Sequence, residues 1–161
     1  MFSQENGIIQ LVVSGYDSNA AVEFESFQMK GYDECCIAIM FSDSLTGDNV
    51  LTVECGATDS ADTSDMTFHY RLGSAVNQLT SADVYAADAT ASTLSLVAAT
   101  YQGKTLLIEF NAEDLPTSGT TVYDWVTVDL DGAATGTSLI SAVAILSKPR
   151  IAKAVMPTAI S

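Results

Sequence analysis

The sequence predicts an all-β protein: an antiparallel β-sandwich of jelly-roll type that ends in an extended C-terminal arm. Short apolar or alternating segments recur at a spacing of about eight to twelve residues, as sandwich strands and their turns do. No stretch sustains the 3.6-residue apolar period of an amphipathic helix. Thr, Ser and Ala are abundant, long Lys/Glu/Leu-rich runs are absent, and only 16% of residues are charged against 48% hydrophobic. The 161 residues suffice for one domain with its own core.

The segments follow in order. "GIIQLVV" (7–13) is a short apolar strand. "AVEFESFQM" (21–29) alternates through Val22 and Phe24, then changes phase at Ser26–Phe27, the mark of a bulge. "CCIAIMF" (35–41) is continuously apolar, as in a strand buried on both faces. An acidic turn, "SDSLTGDN" (42–49), leads to the alternating "VLTVEC" (50–55). A hairpin pairing Phe41 with Val50 would set Cys36 beside Cys55 and make one face wholly apolar. "MTFHYRL" (66–72) alternates after a polar loop, and short strands are expected near Asp83–Tyr85 and Leu94–Ala98. "KTLLIEF" (104–110), "VYDWVTVDL" (122–130) and "SLISAVAIL" (138–146) complete the set. Residues 1–147 thus read as the sandwich and 148–161 as the arm.

Charge divides at the same place. Residues 1–147 hold Lys30, Arg71 and Lys104 against all twenty acids; the last fourteen residues hold Lys148, Arg150, Lys153 and no acid. The net charge of −14 gives a self-repelling surface and disfavours nucleic acid, which needs clustered Lys and Arg. No run approaches eighteen apolar residues, and no charged segment leads into an apolar one at the start. The expectation is a protein with neither signal peptide nor membrane span, made and used in a cytoplasm or in something assembled there. Cys35, Cys36 and Cys55 are an odd set, expected as thiols in a reducing compartment.

A search for chemistry returns no catalytic, cofactor-binding or metal-binding residues. The one histidine, His69, shares a polar strand face with Thr67 and Arg71 and has no sequence signature of a nucleophile beside it. "DLDG" (129–132) starts like a calcium loop, but no further carboxylate follows. "DSADTSD" (59–65) reads as a solvated acidic loop with at most weak calcium affinity. The cysteines lack zinc spacing, and no phosphate-binding or nucleophile-elbow motif occurs. Trp125 reads as core or interface. The chain is not expected to be an enzyme.

The last fifteen residues, "SKPRIAKAVMPTAIS", are different in kind. Pro149 and Pro157 each remove a backbone donor and bias the preceding residue toward extended geometry. "RIAKAVM" between them allows only two helical turns, too short to be stable alone. Ile151, Val155, Met156 and Ile160 would expose apolar area for no return if left free. An arm lying on a neighbouring subunit is therefore expected, ahead of a C-terminal strand that folds back on the chain's own acidic body. Its partner-binding residues are Lys148, Pro149, Arg150, Ile151, Lys153, Val155, Met156, Pro157 and Ile160.

Residues in this ending also carry a resemblance. Ile145, Leu146, Pro149, Arg150, Pro157, Thr158, Ala159 and Ile160 match an ending in which an apolar strand runs into "L-x-x-P-R" and closes on "P-[ST]-A-[IL]". Ile151 stands where that pattern usually has an aromatic residue. "LLIEFNAEDL" (106–115) and "FQMKGYDECCIAIMF" (27–41) fit the same group. The chain thus resembles capsid decoration, or cement, proteins, the small structural proteins encoded beside the major capsid protein in tailed-phage genomes. The resemblance implies a virion protein on the outer capsid surface, assembled in the host cytoplasm, whose partners are the major capsid protein and sister copies. Arms exchanged about a symmetry axis favour a closed homo-oligomer, a trimer ahead of a dimer. A head–tail connector or tail protein, and a carbohydrate-binding β-sandwich, are the alternative readings.

Overall fold

A computed structural model describes residues 2–17, 22–76, 80–132 and 139–150 of the chain. The strands in order are β1 (Gly7–Asp17), β2 (Val22–Glu23), β3 (Phe27–Gln28), β4 (Tyr32–Phe41), β5 (Asn49–Gly56), β6 (Ser64–Asp65) and β7 (Phe68–Leu72). They continue with β8 (Ala89–Ala91), β9 (Thr93–Leu96), β10 (Thr105–Asn111), β11 (Thr117–Ser118), β12 (Thr121–Val122), β13 (Trp125–Asp131) and β14 (Leu139–Pro149). Short helices, α1 (Phe2–Glu5) and α2 (Ala98–Tyr101), and a single 3₁₀ turn (Ala112–Asp114) interrupt them.

The pairing is that of a jelly roll, a folded-over antiparallel ribbon whose first strand meets its last, second the seventh, third the sixth and fourth the fifth. Here β1 pairs β14, β2 and β3 pair β13, β4 pairs β10, and β5 pairs β9, all antiparallel. Two sheets result, ordered β1-β14-β4-β10-β7-β8 and β2-β13-β5-β6, with β9 also on β5. The sequence-predicted all-β sandwich of jelly-roll type is the fold observed.

Alternation decides what faces inward. Ile37 and Ile39 of β4, Leu106 and Ile108 of β10 and Ala144 and Leu146 of β14 are buried from one sheet. Leu51 and Val53 of β5 and Val126, Val128 and Leu130 of β13 are buried from the other. Burying each such side chain is worth about 1.5–3 kcal/mol, so the inter-sheet core holds the fold. The phase change at Ser26 is a break between β2 and β3, both of which remain on β13. Ser26 is buried there, and its Oγ accepts bonds from Thr127 Oγ1 at 3.2 Å and the Ser60 amide at 3.4 Å.

Two sequence expectations are corrected. The 35–41 and 50–55 segments do not form a hairpin, because residues 42–48 carry the chain from one sheet to the other. Their apolar faces meet across the core instead of lying edge to edge, and Cys35, Cys36 and Cys55 are free thiols. Leu45, buried within that crossing, pins it to the core. Likewise β4 is not buried on both faces. Cys35, Ile37, Ile39 and Phe41 point into the core, whereas Cys36 and Ala38 are half-buried and Met40 is 43% exposed on the outer face.

Gly56 closes β5 where the 57–63 loop folds back. A Cβ at this position would lie 1.9 Å from the backbone oxygen of Ala61, a contact that only backbone movement relieves. Gly56→Ala is expected to cost about 1–3 kcal/mol, as overpacking does. Urea unfolding followed by circular dichroism measures it, and an unchanged midpoint would show that the loop yields freely.

Candidate functional site

The residues predicted to begin the arm lie at the end of β14. Ser147 pairs with Glu34 and Pro149 with Tyr32, so the strand stays in the sheet through the proline. Lys148 has φ 52°, a left-handed conformation rare for a residue with a Cβ, and it turns the chain between them. The Lys148 ammonium bonds the Glu34 carboxylate, which also accepts from Ser147 Oγ at 3.2 Å. Arg150 Nε donates to Asp33 Oδ1 at 2.6 Å, and the Arg150 amide donates to the Gly31 carbonyl at 2.8 Å. Two of the three basic residues of the ending are therefore matched to acids of their own chain. Sequence alone had no signal for this, because Asp33 and Glu34 lie over a hundred residues upstream and meet them only through strand order. Ile151, Lys153, Val155, Met156, Pro157 and Ile160 lie outside the described residues.

The bond from Lys148 holds the Glu34 carboxyl below the usual carboxylate range, and Glu34 in turn holds the Lys148 ammonium above the usual lysine value. The Glu34 contribution is present above the ordinary carboxylate pKa and is lost as pH falls through the lowered one. The Lys148 contribution is present below the ordinary lysine pKa and is lost as pH rises through the raised one. Both groups face solvent, so the pair positions the strand end more than it stabilises the fold.

A recess of about 410 Å³ opens on the outer face of the same sheet. His69, Glu109 and Cys36 follow one another across β7, β10 and β4, and His69 Nδ1 lies 2.8 Å from Asp88 Oδ2. Burial, then the Glu109 charge, pushes the Cys36 thiol up to about 11, so it stays protonated at neutral pH. Ser147 Oγ, on the same wall, is taken by Glu34. The histidine–aspartate pair thus faces no activated nucleophile in the recess. Among the described residues no group of three or more His, Cys, Asp or Glu could hold a metal ion, and no helix is long and apolar enough to cross a membrane. Trp125 is half-buried where β13 meets Gln28 and Gly56.

The other sheet turns an acidic face outward. Asp129 pairs with Glu23 and Glu54 with Asp65. Burial raises the Glu54 carboxyl, and Asp62, Asp65, Asp129 and Glu23 push it the same way. Burial and Asp62 likewise raise Asp129.

No protein-family model matches the chain, and no curated protein does. Among solved structures, the chain is similar to the SPBc2 prophage-derived protein YomS, with 10% identity over 89% of this chain and 94% of that one and a TM-score of 0.49. It is also similar to the coat protein of Tobacco streak virus, with 8% identity over 95% and 91% and a TM-score of 0.39. The Desmodium yellow mottle tymovirus structure follows, with 10% identity over 91% and 87% and a TM-score of 0.27. Likenesses at these scores and identities carry nothing about activity or partners.

The acidic face yields a prediction. A carboxyl raised by folding destabilises the native state at neutral pH and ceases to do so once it is protonated in both states. Glu54→Gln should therefore raise Tm at pH 7, with the gain vanishing near about pH 3. Thermal unfolding at the two pH values tests this, and an equal gain at both would locate the effect in packing.

Proposed function

We propose that this chain is a structural protein of a virus particle, a capsid decoration protein that binds the shell and sister copies through residues 151–161. The observation that carries the reading is the anchoring of the strand end. Lys148 and Arg150 are clamped to Glu34 and Asp33, so everything after Arg150 starts from a fixed point at the margin of a rigid sheet. The eleven residues beyond it bring Ile151, Val155, Met156 and Ile160, one base and no acid. Their reach is about 36–40 Å when extended, ample to meet a neighbour.

The surrounding features support the same role. A jelly roll also serves lectins and cupins, so the fold does not choose between functions. The sequence resemblance to decoration proteins favours this one, and its "L-x-x-P-R" element overlaps the clamp. The role needs a stiff body, an acidic surface that keeps free copies apart and a contact repeated many times, so that avidity supplies strength. It uses the clamped basic residues to aim the arm and leaves the contact itself to the apolar side chains.

The clamp also defines the clean experiment. A chain ending at Arg150 retains both ion pairs and the whole of β14; it should fold with an unchanged Tm and fail to bind expanded capsids that the full chain coats. Thermal unfolding measures the first and cosedimentation with capsids the second. Undiminished coating by the shortened chain would end the arm reading, and low occupancy of native particles by the full chain would favour a connector role.

A further inference from the structure

The outer face of the β1-β14-β4-β10 sheet has the wrong polarity for a surface that stays wet. In an antiparallel sandwich the outward positions of each strand are normally polar. Here Ile8, Ile145 and Cys36 stand in one row across three strands. Val143, Ala38 and Leu107 form the next row, and Met40 extends the band further along β4. Ile8 is 54% exposed and Met40 43%. Gln10, Ser141, Thr105, Arg71 and Glu109 flank the band with polar groups, as the rim of an interface flanks its core. The opposite sheet presents the crowded carboxylates of Glu23, Glu54 and Asp129. One face of the sandwich is built for water and the other for contact.

Its size selects the occupant. At about 4.8 Å between strands and 3.3 Å per residue the band measures roughly 15 by 20 Å, or about 300 Å². Two such bands facing each other would bury about 600 Å², too little for a stable contact between globular bodies. Two whole copies, each with a net charge of −14, would also repel. An extended segment fits instead: about six residues span 20 Å. Residues 151–161 supply such a segment, with four large apolar side chains and Lys153 as their single charge.

We infer that residues 151–161 of a second copy dock on this band. The inference rests on the reading that the segment binds outside its own globule, and it names the receiving surface. A second copy is favoured over the same chain because the path back is poorly served. Arg150 is held by its amide on Gly31 and its guanidinium on Asp33. "IAKAVM", which follows, contains no Gly, Pro, Asn, Asp or Ser to reverse the chain.

Cys36 lies within the band and makes the contact measurable; the other two cysteines are buried in the core. Cysteines are placed singly at Ala152, Val155 and Ala159 in full-length chains that also carry Cys36→Ser. Each is mixed with tagged wild-type chain under mild oxidation, without capsids. The expected result is a disulfide between the two chains for at least one position. Adding Met40→Arg to the wild-type partner, at an exposed site that folding should tolerate, is expected to weaken capture about tenfold. No cross-link in the mixtures overturns the inference, and so does a disulfide that forms only within a chain bearing both Cys36 and the new cysteine. Because capsids are absent, cross-linking without capsid binding would sink the decoration role alone, whereas capsid binding without cross-linking would sink this inference alone.

Discussion

The structure depends on the ladder that seats β14 between β1 and β4. This strand is the last among the described residues and lies inside the larger sheet, where it contributes Ile140, Ala142, Ala144 and Leu146 to the core. Its pairing with β1 joins the two ends of the folded ribbon, and its pairing with β4 links that pair to the rest of the sheet. Closing contacts between residues so far apart in sequence is slow and entropically costly, but it makes the described C-terminal strand inseparable from the body. The point where the chain leaves the sheet is therefore as rigid as the sheet.

That constraint explains the chemistry of the strand end. A basic ending on an acidic protein reads naturally as a probe for an acidic partner. In the fold, Lys148 and Arg150 have already met Glu34 and Asp33, which β4 brings alongside because it is the neighbour of β14. Exposed ion pairs of this kind contribute little to stability, but they can fix a direction. The same register places Ser147 on the Glu34 carboxylate and so withdraws a hydroxyl from the recess that holds His69 and Cys36. With the thiol raised by burial and the hydroxyl occupied, the recess offers binding geometry without an activated nucleophile.

The two outer faces divide the work. On the smaller sheet, burial and then the neighbouring carboxylates raise Glu54 and Asp129, at a cost to stability, and the acidic face favours dispersed copies. On the larger sheet, the outward positions of β4 from Cys36 to Met40 and of β14 from Ser141 to Ile145 are small or apolar. A protein that must stay dispersed when free and adhere when assembled gains from such an asymmetry. Fold alone does not assign that task.

Much of this was legible in the sequence. Alternation and continuous apolar runs placed the main strands, and where alternation held it also gave the buried side, because side-chain direction in a strand depends only on parity. The broken phase at Ser26 marked the interruption between β2 and β3. The local pattern could not say which strands are neighbours. Residues 35–41 and 50–55 have the composition of a hairpin, yet they face each other across the core because Leu45 carries the connection between sheets. It could not tell a strand with two dry faces from one whose apolar outer face is partly exposed, since both read as continuous apolar sequence. Nor could it show Lys148 and Arg150 resting on Glu34 and Asp33, because pairing over such a separation is decided by strand order, which only the packed sheets determine.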